Sequence, residues 1–481
     1  MAQTKASKSW TPHRFGNKRP LWFEIRSAQW FIVLTVCFAV FTDVFLYAVV
    51  VPVIPFAIES RAGVAPDQVA HWVSVLLGVY GGALLLASPV CGVLADRIKS
   101  RQVPLLGGLV VLMGATIMFC LGRSIAVLVV ARLLQGASAG VVWTIALALL
   151  SDTVGKSKSG QALGFVAASY SIGTLIAPML GGVVYREGGY YEVFGMMFGL
   201  IGVDIVLRLL IIEKHKAAQW IECDQAQEIS AEVDAHDTVL QPTTTAGRGS
   251  GAAREATPGK KSLPVMLVLL KSRRIEAAFL GTFAVSATMA AFDSTLPLFV
   301  NRVFDWDALG AGLIFVALLF PHLAGPVIGK GVDKYGPRWI ATSGFLLLLP
   351  FWVLLRLVDH DSIRQVVLLV ALLCGVGLGG ALVVTSLMTE FSKVCDGKAK
   401  QDPSLGSAYA TSYGIFNVAW ASGSLAGPLM AAAIERQAGW KTMTWSFGLL
   451  CAFCTGPVVI YSGGSRRKVA RSTTSAEDLH A

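Results

Sequence analysis

Two ten-residue stretches decide the fold: GVLADRIKSR at residues 92–101 and GKGVDKYGPR at residues 329–338. Each begins with Gly, has Asp four residues later with a basic residue after it, and ends in Arg. A second pair of similar segments is GTLIAP at 173–178 and GSLAGP at 423–428. The two offsets, 237 and 250 residues, are nearly equal, so the sequence predicts an internal duplication.

The composition is that of a chain that crosses a membrane many times. Of 481 residues, 54% are hydrophobic and 15% charged, and the mean hydropathy is +0.63. The apolar residues fall into twelve continuous runs of about 20, the length that crosses the hydrocarbon core as a helix. These runs are 30–54, 71–95, 103–122, 124–150, 160–184, 191–212, 276–300, 308–330, 338–358, 364–390, 406–433 and 440–463. The strands of a lipid-facing barrel would alternate apolar and polar residues, so these continuously apolar runs are expected to be helices. With the duplication, we therefore expect an all-α membrane protein with twelve transmembrane helices in two pseudo-symmetric six-helix bundles.

The polar segments divide the chain into five parts. We expect a basic tail at 1–29, a six-helix bundle at 30–213, a disordered linker at 214–262, a second bundle at 263–463 and a tail at 464–481. With a cytosolic N-terminus, the tails and inward loops hold 30 of the 40 Lys and Arg residues, so both termini are expected in the cytosol. Basic loops facing anionic lipid account for the net charge of +10, and we expect no nucleic-acid partner.

Enzymatic and metal chemistry have no pattern in this sequence. The eight cysteines are scattered, and CAFC at 451–454 lies in an apolar run with no second pair. No GxxxxGK[ST] phosphate loop is present, and the linker is too short for a nucleotide-binding domain. We expect no enzyme, no metal and no cofactor.

The repeated loop motif resembles the signature of the major facilitator superfamily, GxLaDrxGrkxxL. The first copy matches it at Gly92, Leu94, Asp96, Arg97 and Arg101, with Lys99 in place of the second glycine. The second copy keeps that glycine as Gly336. The resemblance covers residues 30–463, and it implies a transporter that works by alternating access of two rocking halves.

Two further motifs narrow the resemblance. RLLQG at 132–136 is similar to the family pattern RxxQG. GTLIAPMLGG at 173–182 is similar to the antiporter signature gxxxGPxxGG, with Ala177 in place of one glycine. The resemblance implies a proton-coupled exporter of the type found among twelve-span drug:proton antiporters and vesicular amine transporters, and it is not typical of sugar symporters.

The motif residues are expected to act in gating. Asp96 and Arg97 can bond to a neighbouring helix end and hold one conformation, although topogenic charge alone is the alternative. In span five, small residues every fourth position and Pro178 favour a close, bent contact with another helix, for which generic packing is the alternative. The candidate gating residues are Gly92, Asp96, Arg97, Arg101, Gly173, Pro178, Gly182, Asp333, Gly336 and Arg338.

Charged residues inside the spans are costly and therefore rare. Asp43 and Arg132 are expected near the midplane, and Asp293 nearer the outer mouth. Asp204 and Arg208 lie one helical turn apart, which favours a structural ion pair. Glu213 and Glu390 at span ends are expected in the solvated interface.

A midplane carboxylate can exchange protons or attract a cation. If proton and substrate exclude each other at Asp43, binding of one requires release of the other, which is antiport. A packing role, with Asp43 bonded to Thr42 or to a facing helix, is the alternative. Arg132 either keeps the carboxylates ionised, donates to the substrate, or bonds to backbone carbonyls.

The spans of Asp43 and Asp293 are similar to spans one and seven of the vesicular amine transporters. That group's aspartate in span one, needed for transport, falls on Asp43, and its acid before an LP pair falls on Asp293. The acid of span eleven is Asn417 here, and the middle of span ten is neutral. These departures favour a broader, less cationic class of substrate.

Aromatic side chains are expected to line the substrate cavity, with lipid contact or packing as the alternative. The candidates, with Asn417 beside them, are Tyr47, Tyr80, Trp143, Tyr170, Tyr413 and Trp420.

The leading hypothesis is a monomeric, proton-coupled exporter of small organic molecules, driven by the proton gradient. A proton-coupled importer of a nutrient or organic acid is the alternative, and a transporter-like receptor is a remote one. The plasma membrane is favoured, with a vacuolar or vesicular membrane left open.

Overall fold

The computed structural model describes residues 21–50, 63–98, 100–155, 158–213, 265–306, 308–402 and 408–463, with the single residues Ile58, Glu59, Arg61, Ala217 and Trp220. Throughout these residues the secondary structure is helical, without a strand. The predicted N-terminal tail is described only from residue 21. The predicted linker, apart from Ala217 and Trp220, and the predicted C-terminal tail lie outside the described residues.

Twelve helical spans account for most of the described chain, together with the short helices Phe23–Arg26 and Val265–Leu270. Eleven helical segments of the described chain are long and apolar enough to cross a membrane. The last of them, Tyr409–Tyr461, is divided in two at Gly439, whose φ of 79° and ψ of 171° lie outside the helical region. The predicted twelve-helix fold is therefore confirmed. We number the spans α1 Gln29–Val50, α2 Pro66–Ala95, α3 Gln102–Leu121, α4 Ile125–Val154, α5 Ser159–Gly188, α6 Tyr190–Leu210, α7 Arg273–Phe304, α8 Ala308–Leu319 with its continuation Gly325–Tyr335, α9 Pro337–Leu354, α10 Ile363–Gln401, α11 409–438 and α12 440–461.

Equivalent helices pack together in the two halves. In the first half α1 packs on α5, and α4 packs on both α2 and α3. In the second half α7 packs on α11, and α10 packs on both α8 and α9. The same pairs recur after an offset of six helices, as an internal duplication requires.

The two halves meet through α2 with α11 and α5 with α8. We call the end of the bundle that carries residues 92–101 and 329–338 the motif end, and the opposite end the far end. Near the motif end, a Cβ built on Gly92 would lie 2.7 Å from the Ala410 carbonyl oxygen, and one built on Gly164 would overlap the Gly325 carbonyl oxygen. Only glycine permits these backbone contacts, so the motif end is closed.

Two helices differ from the predicted runs. The run predicted at 308–330 is interrupted by a 3-10 segment, Phe320–Ala324, because Pro321 and Pro326 each remove a backbone donor. The run predicted to end at 390 continues to Gln401, since the polar residues that follow still form helix beyond the apolar stretch.

Candidate functional site

Asp43 lies at the centre of the first half, between α1 and α4. Its side chain is buried, and Trp143 donates a hydrogen bond from Nε1 to Oδ2 at 3.0 Å. The neighbouring Thr42 is buried too, but its hydroxyl has no hydrogen-bond partner among the described residues. The carboxylate is therefore held by the facing helix and not by Thr42.

A line of aromatic rings runs from Asp43 into the second half. The rings of Trp143 and Tyr170 meet edge to face at 5.9 Å between centroids. Tyr170 meets Trp420 at 6.0 Å, and Trp420 stacks on Phe416 at 6.2 Å. Trp143, Tyr170 and Trp420 are half-buried, so part of each side chain along this line is accessible.

Asp293 on α7 has a different environment from Asp43. Its side chain is exposed, although it lies within electrostatic range of Tyr47 and Tyr170 of the other half. The exposed carboxylate of Asp293 therefore lies near the first half, on the far-end side of the aromatic line.

Arg132 on α4 is completely buried. Its Nη1 donates to Gln135 Oε1 at 3.3 Å, but Nε and Nη2 have no partner in the described part of the chain. The guanidinium carbon lies 5.1 Å from the ring centroid of Phe119 and 6.0 Å from those of Tyr47 and Tyr80. Arg132 is thus held by aromatic faces and not by an ion pair with Asp43.

Tyr413 and Asn417 bridge the two halves on the motif-end side of the aromatic line. Both are buried. Tyr413 and Ser151 share a hydrogen bond of 2.9 Å between their hydroxyls, and Asn417 donates to Thr144 Oγ1 at 3.1 Å. In this conformation the two residues close the path towards the motif end and leave no free surface for a ligand. Sequence reasoning missed Thr144 and Ser151, because nothing in a single sequence pairs α4 with α11.

Asp96 binds the first residues of α11. It accepts hydrogen bonds from the Thr411 amide at 2.7 Å, the Thr411 hydroxyl at 2.7 Å and the Ala410 amide at 3.2 Å. These donors form the positive end of a helix that belongs to the other half. Asp96 therefore links the halves at the motif end.

Asp333 makes the equivalent contact in the opposite direction. It accepts from the Gly160 amide at 2.8 Å and the Gln161 amide at 3.0 Å, at the start of α5. Each copy of the motif therefore links its own half to the other half.

The arginines of the two copies differ. Arg101 pairs with Asp96 at 3.0 Å and with Asp152, which sequence reasoning missed, at 3.3 Å. Arg338 lies over the Trp339 ring at 5.4 Å without an ion pair among the described residues, and Arg97 is exposed.

The two copies of the motif also differ at the position of the turn glycine. Gly336 has a φ of +89°, which suits glycine in the turn between α8 and α9. Lys99, at the equivalent position of the first copy, lies outside the described residues.

The small residues of span five contact α1. A Cβ built on Gly173 would lie 3.2 Å from the Phe41 carbonyl oxygen, and one on Gly181 would lie 2.6 Å from Val49 Cγ2. Nothing lies within 4 Å of a Cβ on Gly182, so the motif touches α1 through Gly181 in its place. Pro178 lies inside the continuous helix α5.

Asp204 and Arg208 form a buried ion pair with two bonds, of 2.6 and 3.0 Å. Arg208 also donates to the Leu105 carbonyl oxygen at 2.9 Å, which ties α6 to α3. The pair holds helices of one half together, away from the line of aromatic rings.

The interpretation of Glu213 and Glu390 as solvated was wrong. Both are buried. Glu213 accepts from the Ser100 hydroxyl and the Gln102 amide at 2.8 and 2.7 Å. Glu390 pairs with Arg274 at 2.7 Å and accepts from the Gly463 amide at 2.9 Å. Each carboxylate closes a helix junction at the motif end.

The described residues contain no group of three or more His, Cys, Asp or Glu side chains that could hold a metal ion.

Comparison with known proteins gives one consistent result. The model of the Major Facilitator Superfamily matches residues 36–401 and 278–478. An uncharacterized MFS-type transporter, C18.02, of Schizosaccharomyces pombe is 33% identical over 90% of this chain and 95% of its own length. The MFS-type transporter ppzB of Metarhizium rileyi is 30% identical over 93% of this chain and 96% of its own length.

More distant similarities point the same way. The vesicular acetylcholine transporter of Torpedo torpedo is 24% identical over 87% of this chain and 79% of its own length. The crystal structure of the human organic anion transporter MFSD10 (TETRAN) superimposes with a TM-score of 0.63 at 18% identity, over 89% of this chain and 99% of that one. At that identity the likeness concerns the fold alone.

Proposed function

Since this chain belongs to the major facilitator superfamily, and is thus a multi-pass membrane transporter of small molecules, we propose that it is a proton-coupled antiporter. In this proposal it exports small organic molecules by alternating access, with the proton gradient as its energy source and no bound cofactor. The structure would represent the conformation closed at the motif end.

The observation that carries the proposal is the environment of Asp43. Among the described residues Asp43 has one hydrogen-bond donor and no cation bonded to it, and a buried carboxylate of this kind exchanges protons readily when the surrounding helices move. The aromatic line beside it provides a surface on which a flat organic molecule can stack. A proton and a substrate that compete for this carboxylate would be exchanged in opposite directions.

The relatives support an organic substrate with a cationic group. The name of the vesicular acetylcholine transporter refers to a small quaternary ammonium compound, and such cations bind to aromatic rings and carboxylates. Asn417 stands where the amine transporters have an acid and is already bonded to Thr144. We therefore extend the class to weakly basic and neutral drugs or secondary metabolites.

The distribution of basic residues supports an orientation. The motif end and both tails carry the excess of Lys and Arg, so this end would face the cytosol and the far end the outside. In the proposal the protein works as a monomer, with efflux across the plasma membrane as the favoured setting.

The test is transport in sealed vesicles that contain the purified full-length chain. With an imposed proton gradient, a panel of radiolabelled or fluorescent organic cations, one neutral drug and one weak acid should show accumulation against outward proton flow. Asp43→Asn should abolish proton-driven accumulation while the protein still inserts and elutes as a folded species.

The matched control is Asp305→Asn, which changes an exposed acid in the loop after α7. It should leave accumulation unchanged. Proton-driven transport that persists in Asp43→Asn would contradict the proposal. Accumulation that follows the direction of proton flow would establish an importer.

A further inference from the structure

The break in α8 lies between two helices of different halves. The 3-10 segment Phe320–Ala324 packs against α5 of the first half and α10 of its own half. A Cβ built on Gly377 of α10 would overlap the Leu318 carbonyl oxygen, and Gly164 of α5 touches Gly325 backbone to backbone. The 3-10 segment therefore makes close contacts on both sides, an arrangement that we call the clamp. A change in the conformation of this segment changes the α5–α8 contact.

His322 is the polar residue inside this clamp. His322 is 6% exposed, and Nδ1 makes no hydrogen bond among the described residues, although the Leu318 carbonyl one turn earlier lies near the ring. A Cβ built on Gly380 would lie 3.5 Å from Nε2 and 2.7 Å from the Met289 methyl group. A glycine and a methionine thus make room for the ring, yet one ring nitrogen has no partner that would explain a purely structural histidine.

Ionisable groups on the surrounding helices do not compensate a charge on this ring. The ionisable side chains nearest in sequence to these contacts are Lys158 just before α5, Tyr170 on α5, Cys374 and Glu390 on α10, and Asp293 on α7, one turn beyond Met289. None of them forms an ion pair with His322 in the described part of the chain. A protonated ring would therefore be a buried cation without a carboxylate partner, which is unfavourable.

We propose that His322 is a second protonation site of the transport cycle, and that its protonation weakens the α5–α8 contact and favours the conformation open at the motif end. The site rests on the proposed antiport, because a second protonation step has a role only in a proton-coupled cycle. The proton binds the Nδ1 lone pair, and the cationic imidazole becomes solvated only if the 3-10 turn shifts and lets in water. Asp43 would exchange the proton against the substrate, while His322 would couple protonation to the contact between the halves.

The experiment measures conformation without substrate. Spin labels at Lys158→Cys and Tyr335→Cys, both exposed at the motif end, report the distance between α5 and α8 in the full-length protein with its eight native cysteines replaced. Between about pH 8 and about pH 5.5, the range in which imidazole titrates, we expect the ratio of open to closed conformers to rise about tenfold, or ~1.4 kcal/mol. His322→Gln should remove this response, and His322→Asn serves as a second variant because its amide places a polar atom near Nδ1.

Asp43→Asn separates the two sites. The pH-dependent shift should persist in Asp43→Asn, because the response depends on His322. A wild type that does not respond to pH, a response unchanged in both His322 variants, or a response lost in Asp43→Asn would each overturn the inference. Proton-driven flux without a His322-dependent shift would overturn this inference alone, whereas a shift without proton-driven flux would overturn the proposed function as well.

Discussion

At the scale of single residues, Asp43, Asp293, Arg132 and the pair Asp204–Arg208 have four different environments inside the bundle. Asp43 is buried with a donor from Trp143, Asp293 is exposed between the halves, and Arg132 is buried among aromatic rings without an acid. Asp204 and Arg208, by contrast, neutralise each other. Asp43, Asp293 and Arg132 retain unused capacity for a ligand, and the two carboxylates also for a proton, so we expect functional effects there and stability effects at the ion pair.

Trp143→Phe should reduce transport while the protein remains folded. The ring that meets Tyr170 is kept, but the donor to Asp43 is removed, and a hydrogen bond to a charged group contributes about 1.5–3 kcal/mol. We expect transport efficiency to fall roughly tenfold or more, measured as the initial rate of gradient-driven uptake in vesicles. Trp445→Phe, at an exposed position on α12, is the control; equal effects of the two changes would contradict the role of Trp143.

Arg208→Leu should destabilise the protein because it leaves Asp204 as a buried, unpaired carboxylate. Breaking a buried pair by removing one partner costs about 3–5 kcal/mol, whereas replacing both partners by apolar residues is often neutral. The midpoint of thermal unfolding of the purified protein should therefore fall in Arg208→Leu and recover in Arg208→Leu combined with Asp204→Leu. A double variant less stable than the single one would contradict a structural role.

At the scale of helices, glycine positions decide which helices can approach. The motif of α5 meets α1 through Gly173 and Gly181, and the break of α8 meets α10 through Gly377. These contacts leave no room for a larger side chain, so each couples the movement of two helices.

Gly173→Leu should impair transport, and Gly182→Leu should not. The first change inserts a side chain against Phe41 and Val44 of α1, while the second points into space with nothing within 4 Å. Overpacking a close contact costs about 1–3 kcal/mol, so we expect a loss of transport of about tenfold in vesicles with equal amounts of inserted protein. Similar activities of the two variants would show that the close contact is not needed for the cycle.

The sequence predicted the helices better than their ends and contacts. The lipid requires spanning segments to be apolar helices, so these runs can be recognised in the sequence alone. The break in α8 depends on how Pro321 and Pro326 are accommodated by neighbours, and the continuation of α10 depends on weak propensities beyond residue 390, so neither could be derived from hydropathy.

The candidate site was only partly predictable for a similar reason. Asp43, Arg132 and Asp293 could be recognised from the sequence because a charged side chain inside an apolar run is energetically unfavourable and therefore rare. The partners of these residues come from helices distant in sequence, such as Trp143, which lies 100 residues from Asp43. The burial of Glu213 and Glu390 was missed because helix ends look solvated until the junction that covers them is known.

At the scale of the whole molecule, two carboxylates hold the motif end closed. Asp96 binds the start of α11 from the first half, and Asp333 binds the start of α5 from the second. Each contact combines hydrogen bonds with the positive end of a helix. The halves must break both contacts before the interior becomes accessible from this end.

Asp96→Ala and Asp333→Ala should each raise the open population at the motif end, and the double variant should raise it further. Removing either carboxylate should change the ratio of open to closed conformers by about tenfold, for ~1.4 kcal/mol, measured by the distance between spin labels at Lys158→Cys and Tyr335→Cys. Arg97→Ala, at an exposed position in the same loop, is the control. Closed populations that stay the same in the double variant would rule out the carboxylates as the residues that hold this end.

The presence of two such carboxylates also has a consequence for genetics. Because each half provides its own carboxylate, the loss of one carboxylate is partly compensated by the other. The two copies of the motif can therefore differ in detail: Arg101 pairs with Asp96, whereas Arg338 lies over the Trp339 ring. A library of single substitutions scored by growth would therefore rank Asp96 and Asp333 below their joint importance. A pairwise library should reveal them as a strongly epistatic pair.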